Sequence, residues 1–559
     1  MSREIYIELM DAVLTAYSEE KIESYIKDVE VRGLWEHGFP RLTSNLGILI
    51  AHGKRTEYKE IFRNMMDLCC SEIPTAHARN GWDVGNEFSV KEIVFCLLEI
   101  EKTKVFAEEV TQGWRDKLSQ INPYEVYSSI SPIPPIRMGN WSAYGAASEQ
   151  LRTFAGLGNE SEFIENQIKS QLFSFDENGM YRDPYEPMVY DFVTRLQLAV
   201  ALNFGYDGES HDILVEELMK AADITLEMQS VTGEIPFGGR SNQFIHNETF
   251  YAALCEFYAG LCKKNGDLKK AGKFKCAARV AIESVLPWLK NEKISHIKNY
   301  YDTESMYGCE KYAYFDKYMV TTGSWLYLAY VMADDTIQEV ACPSINKNYI
   351  CETSSYFHKV MCKYNDYFIE IDTKADENYD ASGLGRVHKR NVPSSLGLSV
   401  PFSKTPTYAI DVENPSGFSI CAGIKTDAGY DYTCDSDTEY KMIEKYVGED
   451  AVKVKFECKT PNEIVLYQTF ILSEEGMEMH VEGEREVLIA FPVFMFDGQE
   501  YTQIKASKES VCVEYKGHIC IYSTNGIISD DERIYANRNG HYKSFTAKNR
   551  NHVFLKMKM

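Results

Sequence analysis

The 559-residue chain reads as a multidomain protein: a ring of six or seven helical hairpins, then an antiparallel β-sandwich. Three observations predict this. Up to about residue 335, apolar residues recur at three- and four-residue steps, the period of a helix. Within that stretch six polar loops each open a helix, at intervals of roughly 45–60 residues, and plainer helices alternate with them. Beyond about residue 335 the pattern becomes the strict alternation of half-buried strands.

Residues 5–30 and 56–70 carry helical periodicity, and between them the first polar loop spans 35–45. The others are 80–87, 137–144, 183–191, 233–248 and 296–318, while the plain helices are 162–171, 213–229 and 268–290. Hairpins of this kind close into a ring with the polar loops on one rim. In the β half, runs 356–364 and 367–372 flank an Asn365-Asp366 turn. Later runs are 407–412, 418–424, 451–458, 463–472, 477–482, 487–493, 510–514 and 518–522. The boundary is expected within 335–350, dividing the chain into 1–340 and 341–559. Between strands, residues 383–390 read as a basic loop carrying Arg386 and His388.

A net charge of −24 argues against nucleic acid and anionic membrane surfaces as partners. It leaves room for a local basic pocket that binds an acidic sugar. Aromatics at 13%, with 37 Tyr, suit stacking on sugar faces as well as ordinary cores. No run of about 18 apolar residues occurs, and the N-terminus lacks the apolar core of a signal peptide. Fifteen scattered cysteines without a CxxC read as reduced thiols. The expectation is therefore a cytoplasmic chain, although a secreted protein trimmed of its signal would read the same. No cofactor is expected. His358, Asp372, Asp380 and His388 lie in the β half, but no HxH or HExxH spacing supports a structural zinc or calcium.

The stretch 233–248 concentrates the chemistry. Arg240, Asn242, Gln243, His246, Asn247 and Glu248 fall within nine residues, after three glycines and a proline. A helix follows at once, with Phe250, Leu254, Phe257, Tyr258 and Leu261 at helical steps. A capped helix start uses one or two such side chains, not six.

This layout is similar to that of the heparinase II/III-like polysaccharide lyases, an (α/α) toroid followed by a β-sandwich. The start around His246 resembles the family's Asn-His element, here Ile245-His246-Asn247. The run from Glu310 through Tyr312 to Tyr314, with Tyr318 beyond, resembles its Glu- and Tyr-bearing helix. Arg386 and His388 resemble the histidine its β domain contributes, and Asn140-Trp141 a loop on the substrate side. The resemblance implies elimination on a uronic acid glycan. That reaction removes the proton beside the carboxylate and expels the 4-O-linked sugar. Asn, Gln, Arg or His must neutralise the carboxylate and the developing enolate-like charge. A His or Tyr takes the proton, and a Tyr returns one to the leaving oxygen.

The expected cast is His246 as base or neutraliser, Tyr314 as acid or base and His388 as β-domain support. Arg240, Asn242, Gln243, Asn247 and Glu248 bind substrate, as do Asn140, Trp141, Arg195, Glu310, Tyr312 and Arg386. Asn242 or Asn247 stands open in place of His246, and Tyr301 or Tyr312 in place of Tyr314. The alternative enzyme is a toroidal glycoside hydrolase with two carboxylates drawn from Glu186, Asp191, Glu248 and Glu310. A sugar-binding protein without catalysis is the third class. The expected partner is an acidic oligosaccharide or polysaccharide, with oligomeric state left open.

Overall fold

The computed structural model describes residues 1–76, 85–127, 130, 139–290 and 294–559. Of the second polar loop, residues 80–84 lie outside this set, as do Arg137 and Met138 of the third.

The helical half contains α1 (Glu4–Leu14), α2 (Glu19–Arg32), α3 (Gly38–Ala51), α4 (Lys59–Glu72), α5 (Asn86–Thr103), α6 (Glu108–Leu118), α7 (Asn140–Phe154), α8 (Ser161–Leu172), α9 (Met188–Asn203), α10 (His211–Lys220), α11 (His246–Lys264), α12 (Leu268–Leu289) and α13 (Phe315–Met332). Helices α3, α5, α7, α9, α11 and α13 pack each on the next, and α13 returns to α3. They form the inner wall of a closed ring. α4, α8 and α12 lie outside, and α1 packs on α13, so the first helix covers the last. The six inner helices make the hairpin count six.

Burial follows from this layout. The outer helix α4 is amphipathic, burying Phe62, Met65, Met66, Cys69 and Cys70. The inner helix α11 is buried at almost every position from His246 to Ala259, the signature of a helix covered all round. Its polar residues are therefore enclosed, and each needs a partner or a ligand.

The expected helix over 5–30 is two helices, because Ser18 accepts a bond from the Lys21 amide and caps a new start. α6 was not foreseen. No helix among the described residues is long and apolar enough to cross a membrane.

After α13 the chain enters a four-stranded antiparallel sheet in sequence order: β1 (Tyr349–Glu352), β2 (Lys359–Tyr364), β3 (Tyr367–Asp372) and β4 (Gly383–Lys389). An eight-stranded sheet and a five-stranded sheet, both antiparallel, follow. The first is centred on His552–Lys558 and Gly476–Gly483, the second on Val487–Phe496. Val454, Phe456 and Met479 of one and Leu488, Phe491 and Val493 of the other share one core, giving a sandwich.

Two expectations in this half are corrected. Residues 407–412 are no strand. Tyr408 and Ala409 make isolated bridges to Glu310 and Tyr307 and tie the two halves together. The basic stretch 383–390 is not an exposed loop but β4, buried from Gly383 to His388. Its faces are covered by the sandwich core and by the 233–248 stretch, so its charges are paired internally.

Candidate functional site

The N-terminal ends of the six inner helices converge on one cavity of about 600 Å³. Each contributes: Arg41 from α3, Phe88 from α5, Asn140, Trp141 and Tyr144 from α7, Tyr190 from α9, His246 and Phe250 from α11, Lys317, Tyr318 and Trp325 from α13. None of these helices has a cap from the side chain of its N-cap residue. Six helix dipoles therefore present their positive ends to one space, which favours an anion. Arg41 and Lys317 add basic side chains to the wall, beside the Glu36 carboxyl. Trp141, 40% exposed, stands at the mouth with its edge against Phe88. An amphipathic ring so placed suits a sugar face.

His246 is buried against Phe244, whose ring stacks on it at 5.5 Å, and Tyr318, whose ring lies edge-on at 5.1 Å. Its Nδ1 has no hydrogen-bond partner among the described residues. Burial, then the Arg41 charge, pushes its pKa well below 6.5, so the imidazole is neutral and able to accept a proton. Burial drives the Tyr318 phenol the other way, well above 10, so it stays protonated. A neutral imidazole and a protonated phenol thus stand ring to ring.

The loop before α11 sets the opposite wall. Ser241 has φ +59 and Gly239 +74. A Cβ on Gly239 would fall 2.6 Å from Pro187 Cα, so only glycine lets the chain pass there. Ser241 Oγ lies 3.2 Å from Tyr190 Oη and 3.0 Å from Tyr312 Oη. Arg240 stacks over Tyr190 at 4.2 Å, and its Nη2 donates to Asp183 at 2.5 Å. Asp183 also accepts from the Asn140 amide and Nδ2, which fixes the start of α7.

The expected residues divide on this geometry. His246, Arg240, Asn140, Trp141 and Tyr312 line the cavity. Asn247 Nδ2 donates to the Ser241 carbonyl, just behind the wall. Tyr314 does not line it. As N-cap of α13 it is extended, φ −70 and ψ 158, and its hydroxyl faces Glu36. Tyr318, one turn into the same helix, stands at the cavity instead. Tyr301, the other alternative, bonds His541 in the seam with the β half.

Asn242 donates to the Pro236 carbonyl, and Gln243 turns to a second cavity of about 560 Å³ between the halves. Arg195 is sealed in the ring wall on Asp191, Thr225 and Tyr258. Arg386 pairs with Glu370 at 3.2 Å. His388 is buried between Ser230 and Ser399, both at 2.8 Å, and burial holds its pKa down at about 3. It braces the seam rather than reaching the rim cavity.

The four carboxylates of the hydrolase reading are each engaged elsewhere: Asp191 by Arg195, Glu186 by His358, Glu248 by Lys298 and Glu310 by Arg538. The cavity has Glu36 on its wall and Asp183 behind Arg240 and Asn140. No group of three or more His, Cys, Asp or Glu able to hold a metal occurs among the described residues. Arg41, Tyr190, Ser241, Lys317 and Tyr318 were missed as site residues. The signal that could have found them is position, since Arg41, Tyr190, Lys317 and Tyr318 lie in the first turn of an inner helix and Ser241 in the loop just before α11.

No family model matches the chain, and no curated protein matches it. Among solved structures it is similar to a mutant heparan sulfate lyase HepC from Pedobacter heparinus, with TM-score 0.48, 8% identity, and 93% of this chain and 76% of that one covered. A mutant chondroitin AC lyase from Streptomyces coelicolor A3 gives 0.46 and 8%, over 99% and 82%. A glycosyl hydrolase of family 88 from Bacteroides vulgatus gives 0.40 and 11%, over 59% and 99%. Residue roles rest on the geometry of this chain.

Proposed function

We propose that the chain is a glycan lyase that cleaves uronic-acid-containing oligosaccharides or polysaccharides by β-elimination at the rim cavity. The observation that carries this reading is the pairing of a neutral, buried His246 with a protonated Tyr318, inside a cavity ringed by positive helix ends. The substrate carboxylate sits toward Arg41 and Lys317, where charge neutralisation acidifies the neighbouring C–H. His246 removes that proton. Tyr318 or Tyr312 protonates the leaving oxygen, and Trp141 supports a sugar ring at the mouth. The helical ring, residues 1–340, is the catalytic half, and 341–559 form the β half that closes behind it. The engagement of Asp191, Glu186, Glu248 and Glu310 by internal cations speaks against the hydrolase alternative, which needs two carboxylates facing one bond.

The test is a screen of uronate oligosaccharides followed by ultraviolet absorption and mass spectrometry. The reading expects a C4–C5 double bond in the product and its loss in His246→Ala. Failure of every uronate glycan to yield an unsaturated product overturns it.

A further inference from the structure

The loop 235–241 is held in a way the reaction scheme does not use. Every second amide along it donates to a buried carboxylate. Ile235 N–H reaches Glu248 at 3.2 Å, Phe237 reaches Glu370 at 3.2 Å, Gly239 reaches Asp380 at 2.9 Å and Ser241 reaches Glu310 at 2.7 Å. These four acids come from α11, β3, the β3–β4 connection and the segment before α13.

Three of the acids bond a cation in turn. Lys298 donates to Glu248 at 2.8 Å, Arg386 lies 3.2 Å from Glu370, and Arg538 grips Glu310 through both nitrogens at 3.0 and 2.7 Å. Gly385, the extra residue in the β3–β4 register, lets the loop approach, since a Cβ there would meet Phe237 at 2.3 Å. Glu370, Asp380 and Arg538 all belong to the β half, and none lines the rim cavity. The loop they hold ends in Arg240 and Ser241, which do. Ser241, in turn, bridges Tyr190 and Tyr312.

We infer that Glu370, Asp380 and Arg538 are positioning residues for the reaction at the rim, acting through the 235–241 backbone on Arg240 and Ser241 and so on the Tyr190 and Tyr312 hydroxyls. This rests on the elimination reading for the reaction it serves. The arrangement explains why a strained loop, with Ser241 at φ +59, keeps one conformation. A buried carboxyl accepting at every second amide over-determines the backbone, and the β half works as the rigid jig for a site built on the ring.

The experiment compares wild type with Asp380→Ala and Asp380→Asn in the full chain. Amide hydrogen exchange over 235–241 is read beside elimination kinetics. Asp380→Ala should speed exchange at Gly239 and lower kcat by about tenfold to a hundredfold, the scale of a misplaced reacting group, with KM changed less. Asp380→Asn should restore most of both, because its carbonyl oxygen still accepts the Gly239 bond. Unchanged exchange, faster exchange without a fall in kcat, or an equal loss in the Asn variant each overturns the inference. Should Asp380→Ala fail to fold, Arg538→Lys takes its place. It keeps the charge, loses the two-pronged grip on Glu310, and should loosen the Ser241 amide and lower kcat, whereas wild-type behaviour overturns the inference. Wild-type inactivity on every uronate glycan defeats the elimination reading instead, and exchange then decides the positioning alone.

Discussion

Single side chains decide the chemistry. His246→Ala should cut turnover by about a hundredfold to ten-thousandfold, the worth of a positioned base, with kcat on a uronate glycan as the check. Tyr318→Phe should fall in the same range, and Tyr314→Phe should stay near wild type, since only the first phenol stands at the cavity. Equal losses in both would put the acid elsewhere. Because burial depresses the His246 pKa well below 6.5, the neutral, active base persists as pH falls through 6.5. The pH–rate profile of kcat/KM should show no acid limb near that value. His246 was legible as a cavity residue because glycines, a proline and an abrupt helical period mark the loop-to-helix junction. Tyr314 was expected at the cavity and does not line it, because two tyrosines four apart share a face only when both are helical, and Tyr314 is the extended residue just before α13.

At the scale of elements, the inner helices are set by pairs that never reach the cavity. Arg195 Nε and Nη2 bond both oxygens of Asp191 at 2.8 and 2.5 Å, with neither side chain exposed. Arg195→Met should therefore cost about 3–5 kcal/mol by stranding a buried carboxylate, read as a lower denaturant midpoint of the helical signal. A loss below 1 kcal/mol would contradict that role. The helical period was legible wherever one face meets solvent, as on α4. On α11 the apolar steps from Phe250 to Leu261 gave the helix but not its burial, because the positions between them are enclosed too, from His246 to Ala259. The same physics hid β4. A strand covered on both faces loses its alternation, so Arg386 and His388 read as solvated charges when they are paired inside.

For the whole molecule, the two halves meet through ionic contacts that composition could not show. His358 on the β side lies 3.0 Å from Glu186 of the ring and 2.5 Å from Asp372 of β3. Those carboxylates outweigh burial and raise its pKa from 6.5 to about 9. A raised histidine binds its proton in the folded state, so its stabilisation is fully present below about pH 6.5 and is lost as pH rises through about 9. Thermal melts should show wild type above His358→Gln at pH 6 and the gap closing by about pH 10. A gap that persists there would contradict the assignment. The order of ring and sandwich was legible from the change of period near residue 335, but how the β half grips the 235–241 loop depends on contacts across more than a hundred residues. The most direct test of the central claim is the fate of water. Cleavage of a uronate oligosaccharide in oxygen-18 water should give a C4–C5 unsaturated end and no oxygen label beyond the slow exchange at reducing-end anomeric carbons. A saturated product carrying the label would show hydrolysis and contradict the account.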